Sequence, residues 1–388
     1  MNFLWVSPHY PPNFQTFIEA LDNTEMTVLG IGQEPYDHLS DVLKEHLTEY
    51  FRVDNLENRE EVIRAVAFLI YKHGPIDRVE SNNEHWLELD ATIREQFNIA
   101  GLRPNDLIPT RYKSEMKRSF KACDAPVVDG ELIAAVSEID EAIEALGGLP
   151  VIAKPDSGVG ASATYKLESK ADVADFKQSW AEEVPYFLEP FVSGELCTYD
   201  GLLDQEGNIV FEASFTHNIP TLDIMNESTD MYIVIDRGVD PKLREIGRRI
   251  LSEFNMTERF FHLEFFRLPD GNYITLEYNN RMTGGFVIDA YNHLFSHDLF
   301  KHYALVVKDE AFDNPHFKKR LGVVVTRRNE TNYQHSLDEI YQHYGDRVRG
   351  RDAIRGIIAD MQGDQWMLIT CEDKSEIDEI VEFTQATK

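Results

Sequence analysis

The chain has 388 residues, 43% of them apolar, with 38 lysines and arginines against 68 aspartates and glutamates and a formal charge of −30. That length and composition predict a globular protein of two or three domains, and a field this negative repels polyanions and excludes a nucleic-acid partner. The three cysteines have no metal-ligand spacing, "MNFLWVSPHY" has no basic leader, and no apolar run reaches the ~20 residues that cross a bilayer. The expectation is a cytoplasmic protein with reduced thiols, no membrane partner and small-molecule substrates.

In chain order, "FLWVS" reads as a strand, "PHYPPN" as a loop, "FQTFIEALDN" as an amphipathic helix and "MTVLGIG" as a second strand. That is one unit of an open parallel sheet. "REEVIRAVAFLIYKHG" carries a helical stripe of Val62, Ala65, Val66 and Leu69, "IDRVES" is a third strand, and "SNNEHWLELDATIREQFNIAG" predicts a capped helix ended by Gly101. Residues 1–112 are thus expected to form a Rossmann-like α/β domain. No GxGxxG follows its first strand, so a dinucleotide is not expected there.

In "VIAKPDSGVGAS" an apolar strand delivers Lys154, and a loop with Gly158 and Gly160 follows. A Walker loop places its lysine after the glycines, so this is a different phosphate cradle or a plain hairpin turn. The middle of the chain then turns to antiparallel β, with "SATYKLE", "YFLEPFV", "LCTYDGLLD", "NIVFEASFTH", "MYIVIDR", "FFHLEFFRL" and "NYITLEYNN" as strands. "DVADFKQSW" and "PKLREIGRRILSEF" are helices between them. From Asp309 onward, "RLGVVVTRR", "LDEIYQHYG", "WMLITCE" and "KSEIDEIVEFTQ" predict a small α/β lobe.

"FFHLEFFRLPDGNYITLEYNNR" carries the most chemistry. A hairpin centred on Asp270-Gly271 sets Glu264 opposite Glu277 and His262 opposite Asn279, while Leu263, Phe265, Leu276 and Tyr278 point to the other face. Directly opposed like charges destabilise a sheet, and a hard divalent cation compensates them. The alternative is two acids splayed into water, and a three- or five-residue loop would break the pairing.

The ordered set Lys113 in "RYKSEMKR", "AKPDSGVGAS", "LEPFVSGEL", "HLEFF" and "LEYNNRMTGG" resembles the ATP-grasp superfamily over about residues 82–304. The detail Asn279-Asn280-Arg281-Met282-Thr283-Gly284-Gly285 is similar to the carboxylate–amine (L-amino acid) ligases within it. More distant resemblances are to biotin carboxylase and carbamoyl phosphate synthetase. The resemblance implies an α/β and α+β fold: a Rossmann-like pre-ATP-grasp domain at 1–112, grasp subdomains at 113–190 and 191–308, and a small lobe at 309–388. It implies ATP and Mg²⁺ or Mn²⁺, with two ions, and allows a homodimer through the first domain.

Carried over residue by residue, Lys113 and Lys154 hold the α- and β-phosphates beneath a lid containing Ser157, Gly158, Gly160 and Ser162. Glu189, Phe191 and Val192 meet adenine, and Glu195 takes the ribose hydroxyls. Glu264, Glu277 and Asn279 are the metal ligands, Arg281 reaches the transferred phosphoryl group, and His217, Arg237, Gly284 and Gly285 line the substrate side. The implied reaction phosphorylates a carboxylate and lets an amine displace phosphate from the acyl phosphate. A bicarbonate-phosphorylating enzyme and a non-catalytic ATP-binding module are the alternatives.

Overall fold

The computed structural model describes residues 1–158, 163–218, 230–310, 319–354 and 357–388. Four parallel strands open the chain, β1 (Asn2–Val6), β2 (Thr27–Gly32), β3 (Glu49–Arg52) and β4 (Arg78–Glu80), in the spatial order β3-β2-β1-β4. β1 sits inside this sheet and Phe3 to Val6 are all buried, which is why "FLWV" reads as a continuous apolar run instead of an alternating one. The helix Arg59–His73 buries the expected stripe of Val62, Ala65, Val66 and Leu69. The helix Leu87–Phe97 ends at Asn98, not Gly101. Asn98 takes the left-handed conformation at φ 52°, which its short polar side chain tolerates.

A second, antiparallel sheet has the order β5-β8-β6-β7, from β5 (Glu131–Ile133), β6 (Val151–Pro155), β7 (Tyr165–Leu167) and β8 (Tyr186–Pro190). Alternation along β6 sends Val151 and Ala153 into a core with Phe176, Trp180 and Leu188. Ile152 and Lys154 therefore face the other way, toward the main cavity.

The third sheet contains β9 (Glu195–Leu203), β10 (Ile209–Ala213), β11 (Phe215–His217), β12 (Tyr232–Ile235), β13 (Phe260–Arg267), β14 (Tyr273–Asn279), β15 (Leu321–Arg327), β16 (Val348–Ala353) and β17 (Gln365–Cys371). Its order is β14-β13-β9-β11-β12-β15-β17-β16, with β10 also on β9. The expected strand "NIVFEASFTH" is broken at Ser214, whose hydroxyl donates to the Thr198 carbonyl at 2.6 Å. The final segment does not fold its strands into a separate sheet: β12 pairs with β15 from Tyr232–Val325 to Ile235–Gly322, so β15, β17 and β16 continue the central one.

Aromatic packing and one charge cluster tie the first sheet to the third. Phe17 on the helix Gln15–Asp22 meets Trp5 at 5.4 Å, Phe300 at 4.7 Å, Tyr303 at 5.3 Å and Phe260 at 5.9 Å. At the end of β4, the buried Glu80 carboxylate accepts from Arg94 at 3.2 Å and from Arg259, just before β13, at 3.3 Å. Two guanidinium groups on one acid compensate the loss of water that a lone buried charge would suffer.

Candidate active site

Glu264 lies opposite Glu277, Leu263 opposite Tyr278 and His262 opposite Asn279, the pairing that the sequence predicts. The turn that produces it differs from expectation. Leu268 N–H donates to Asn272 O at 2.8 Å and Gly271 N–H to Leu268 O at 2.9 Å, enclosing a three-residue loop with Gly271 at φ 77°. That loop pairs Arg267 with Tyr273 and Phe265 with Thr275, one residue out of step. A β-bulge between Glu264 and Phe265 takes up Leu276 and restores the register before the acids are reached. Leu276 consequently leaves the core face it was expected to join and lines the cavity beside Phe266 and Ile274.

β9 flanks β13 on its other side, with Thr198 opposite Glu264 and Asp200 opposite His262. Asp200 is held by the Tyr291 hydroxyl at 2.5 Å and the Thr198 hydroxyl at 2.7 Å, and its other oxygen meets His262 Nδ1 at 2.5 Å. His262 Nε2 meets Glu264 Oε1 at 3.1 Å. Burial alone would lower the His262 pKa, but Asp200 and Glu264 overcome it and push it up to about 9. Burial likewise works to raise Glu264, yet the hydrogen bond and charge of His262 hold it below the usual carboxylate range. Glu277 shifts the opposite way: burial and the facing Glu264 raise it against the pull of Lys113, whose ammonium is 3.6 Å away.

The lysines are set by one short segment. Asp156, two residues after Lys154, caps the helix Lys113–Ala122 by accepting the Ser114 N–H at 2.8 Å and the Ser114 hydroxyl at 3.1 Å; its carbonyl accepts the Lys113 N–H at 2.8 Å. Four residues after Lys113, Lys117 shares its helix face. Lys117 and Lys154 both ion-pair with the buried Glu189. Burial would raise the Glu189 pKa and the two ammonium groups lower it. Lys154, which also feels Glu277 and Glu264, is held above the ordinary lysine range against burial, whereas burial pulls Lys117 below it. Lys117 is unforeseen by the motif reading; its spacing from Lys113 is the sequence signal for it.

These groups wall a cavity of about 500 Å³, whose lining includes Lys113, Lys154, Glu189, Phe191, Val192, Glu264, Glu277, Asn279, Arg281, His217 and Gly284. Lys166 stacks over the Phe191 ring at 4.2 Å. Arg281 is gripped by Glu84, from the loop after β4, through Nε at 3.0 Å and Nη2 at 2.8 Å, and its Nη1 donates to Met282 O at 2.7 Å. His217 is half-buried, its pKa is pulled down to about 4 by burial, and its Nδ1 has no hydrogen-bond partner among the described residues.

Other expected residues are not among those lining the cavity. Glu195 starts β9 in an ion pair with Arg267, and Ser157 is bridged to Tyr112. Gly285 offers its carbonyl to Asn13 Nδ2 at 3.1 Å. Arg237 is half exposed and donates to the Glu372 carbonyl; it borders a different, smaller hollow with Arg244 and Arg248, so the expectation that it lines the substrate side is corrected. Gly158 ends the described part of its loop, and Gly160 and Ser162 lie outside the described residues.

The donor set fits magnesium. Among the described residues no three His, Cys, Asp or Glu side chains form a metal cage by themselves. Two opposed carboxylates and the Asn279 amide supply hard oxygen donors from one side only, which suits an ion that completes its shell with phosphate oxygens and water.

A family model described as the ATP-grasp domain matches residues 148–289. The L-arginine-specific L-amino acid ligase of Bacillus subtilis is 26% identical over 231 residues, 58% of this chain and 56% of that protein, so the chain spans about half the length of that curated relative. Among solved structures, the L-amino acid ligase from Bacillus licheniformis superposes with a TM-score of 0.73 at 12% identity, over 99% of this chain and 96% of the other. The biotin carboxylase domain of Hydrogenobacter thermophilus 2-oxoglutarate carboxylase, solved with MgADP, ADP and bicarbonate, gives 0.71 at 14% identity over 100% and 90%. Residues 148–289 therefore match the ATP-grasp domain, and the whole chain shares its fold with these ligase and carboxylase structures.

Proposed function

We propose that this protein is an ATP-dependent carboxylate–amine ligase, a carbon–nitrogen ligase that joins an amino acid to an amine and releases ADP and phosphate. The observation that carries the reading is the opposed pair Glu264 and Glu277 with Asn279, at the wall of a cavity shared with Lys113, Lys154 and Arg281. The L-amino acid ligase relatives support this reaction class. Glu264, Glu277 and Asn279 would hold Mg²⁺, which when bound neutralises triphosphate charge at the transferring group.

The chain's own groups then act by position and charge. Lys113 and Lys154 would turn to phosphate oxygens while Glu189 stays paired with Lys117, and Arg281, still held by Glu84, would offer the rest of its guanidinium to the transferred phosphoryl group. The substrate carboxylate, lying in line, displaces ADP to give an acyl phosphate; an amine attacks that carbonyl and phosphate leaves. The apolar wall of Ile152, Val192, Phe266, Ile274 and Leu276 offers flat contact to an adenine ring.

Release of ADP and phosphate, measured with Mg²⁺ across a panel of amino acids and with bicarbonate, tests the proposal. Amino-acid-dependent release with a ligated product supports it. A response to bicarbonate alone replaces it with a carboxylating enzyme, and tight ATP binding without turnover under any of these conditions replaces it with a binding module.

A further inference from the structure

Within the ligase reading, the cavity's lining bears on which amino acid is taken. Its four acidic lining residues among those described are all engaged. Glu84 holds Arg281 and Glu189 holds Lys117 and Lys154; Glu264 and Glu277 carry the metal assignment, with His262 and Lys113 beside them. No described lining carboxylate remains to receive a guanidinium or ammonium side chain. Beyond Arg281 and Gly284, the lining is instead Phe215, Met231, Phe286 and Val287, each no more than 4% exposed.

Two buried polar atoms beside that apolar stretch have no hydrogen-bond partner among the described residues. They are Nδ1 of His217 and Oε1 of Gln362, which belong to lining residues. Burial holds the His217 imidazole neutral, so it accepts a hydrogen bond at one nitrogen, and Gln362 Oε1 is an acceptor. Buried acceptors left unpaired by the protein are costly unless a ligand or water donates to them. An α-ammonium group carries three such donors.

We propose that the phosphorylated substrate is an α-amino acid with an uncharged, apolar side chain. Its carboxylate meets Arg281, its ammonium group meets His217 Nδ1 and Gln362 Oε1, and its side chain rests on Phe215, Met231, Phe286 and Val287. This inference rests on the ligase reading and separates the chain's substrate from the arginine named for the relative that is 26% identical to it. A guanidinium against this wall would find no free acid among the described lining residues, and an uncompensated buried charge costs far more than a mismatched methylene.

Initial rates of ADP release are compared for leucine, methionine, phenylalanine, alanine, arginine, lysine, aspartate and glutamate at fixed ATP and Mg²⁺. The expected result is kcat/KM for the larger apolar amino acids at least about tenfold above that for arginine and lysine. Turnover led by arginine, lysine or an acidic amino acid overturns the specificity and leaves the ligase standing; no turnover with any amino acid removes the ligase reading itself. Val287→Asp puts an acid at the first position of the helix Val287–Phe295, where the helix end tolerates it, and should move the preference toward lysine and arginine. Phe286→Ala keeps the test open should that variant not fold: it should favour phenylalanine over alanine more strongly than the parent, and an unchanged ranking counts against the wall.

Discussion

Glu277 illustrates how a single side chain links stability to chemistry. Its carboxylate is half-buried opposite Glu264, and its raised pKa means that desolvation and a like charge outweigh the help of Lys113. Glu277→Gln keeps the shape and removes the repulsion. Its melting temperature should equal or exceed the parent's, while Mg²⁺-dependent ATP turnover falls by about 100-fold or more, the scale seen when one charge-stabilising group is lost. Retained turnover would strip this residue of its metal role. Asp156 is the quieter counterpart. Asp156→Ala should cost about 1–2 kcal/mol through the lost cap and raise the KM for ATP, because the helix start that it fixes carries Lys113.

At the scale of elements, the β13–β14 hairpin was partly legible in the sequence. Alternation of apolar and acidic residues specified which residues share a face, and this survives in Glu264, Glu277, His262 and Asn279. The loop length was not legible, because Asp-Gly suits both a two-residue turn and the last part of a three-residue one. The bulge at Leu276 accompanies a backbone bond from Thr275 N–H to Pro126 O at 2.7 Å, made to a segment 149 positions earlier that no local pattern announces. Lys117, Glu84 and the Tyr291–Asp200–His262 chain escaped for the same reason: each meets its partner through tertiary folding. Arg237 was misassigned because a strand pattern tells which residues lie at its end but not which cavity that end borders. Deleting Leu276 should remove the bulge while leaving Glu264 opposite Glu277. We expect a folded protein that retains Mn²⁺ binding, read by electron paramagnetic resonance, with a raised KM for ATP from the missing apolar wall.

For the whole molecule, two electrostatic consequences follow. The buried cluster at the end of β4 includes Asp90, whose pKa burial and the neighbouring Glu80 push up to about 8. The folded state therefore holds a proton that the unfolded chain, with an aspartate pKa of about 3.9, releases earlier. The stability from this group is complete below about pH 4 and declines as pH rises toward about 8, by up to about 1.4 kcal/mol per pH unit. Asp90→Asn should flatten that slope in denaturant titrations run from pH 5 to 8. A steeper slope in the variant would contradict the assignment. The second consequence is kinetic. A net charge of −30 opposes the approach of a polyanionic nucleotide, so kcat/KM for ATP should rise as salt goes from about 10 mM to about 150 mM, opposite to the usual weakening of ionic contacts.

The bulge at Leu276 has a further meaning for how such a chain changes over generations. Because it stands between the loop and the acid pair, the tip of the hairpin is mechanically uncoupled from the residues beyond it. A one-residue insertion or deletion at Pro269–Gly271 can be absorbed by dissolving or shifting the bulge, with Glu264 still facing Glu277. The tip is thus free to drift in length, as a slack joint lets a belt stretch without moving its buckle.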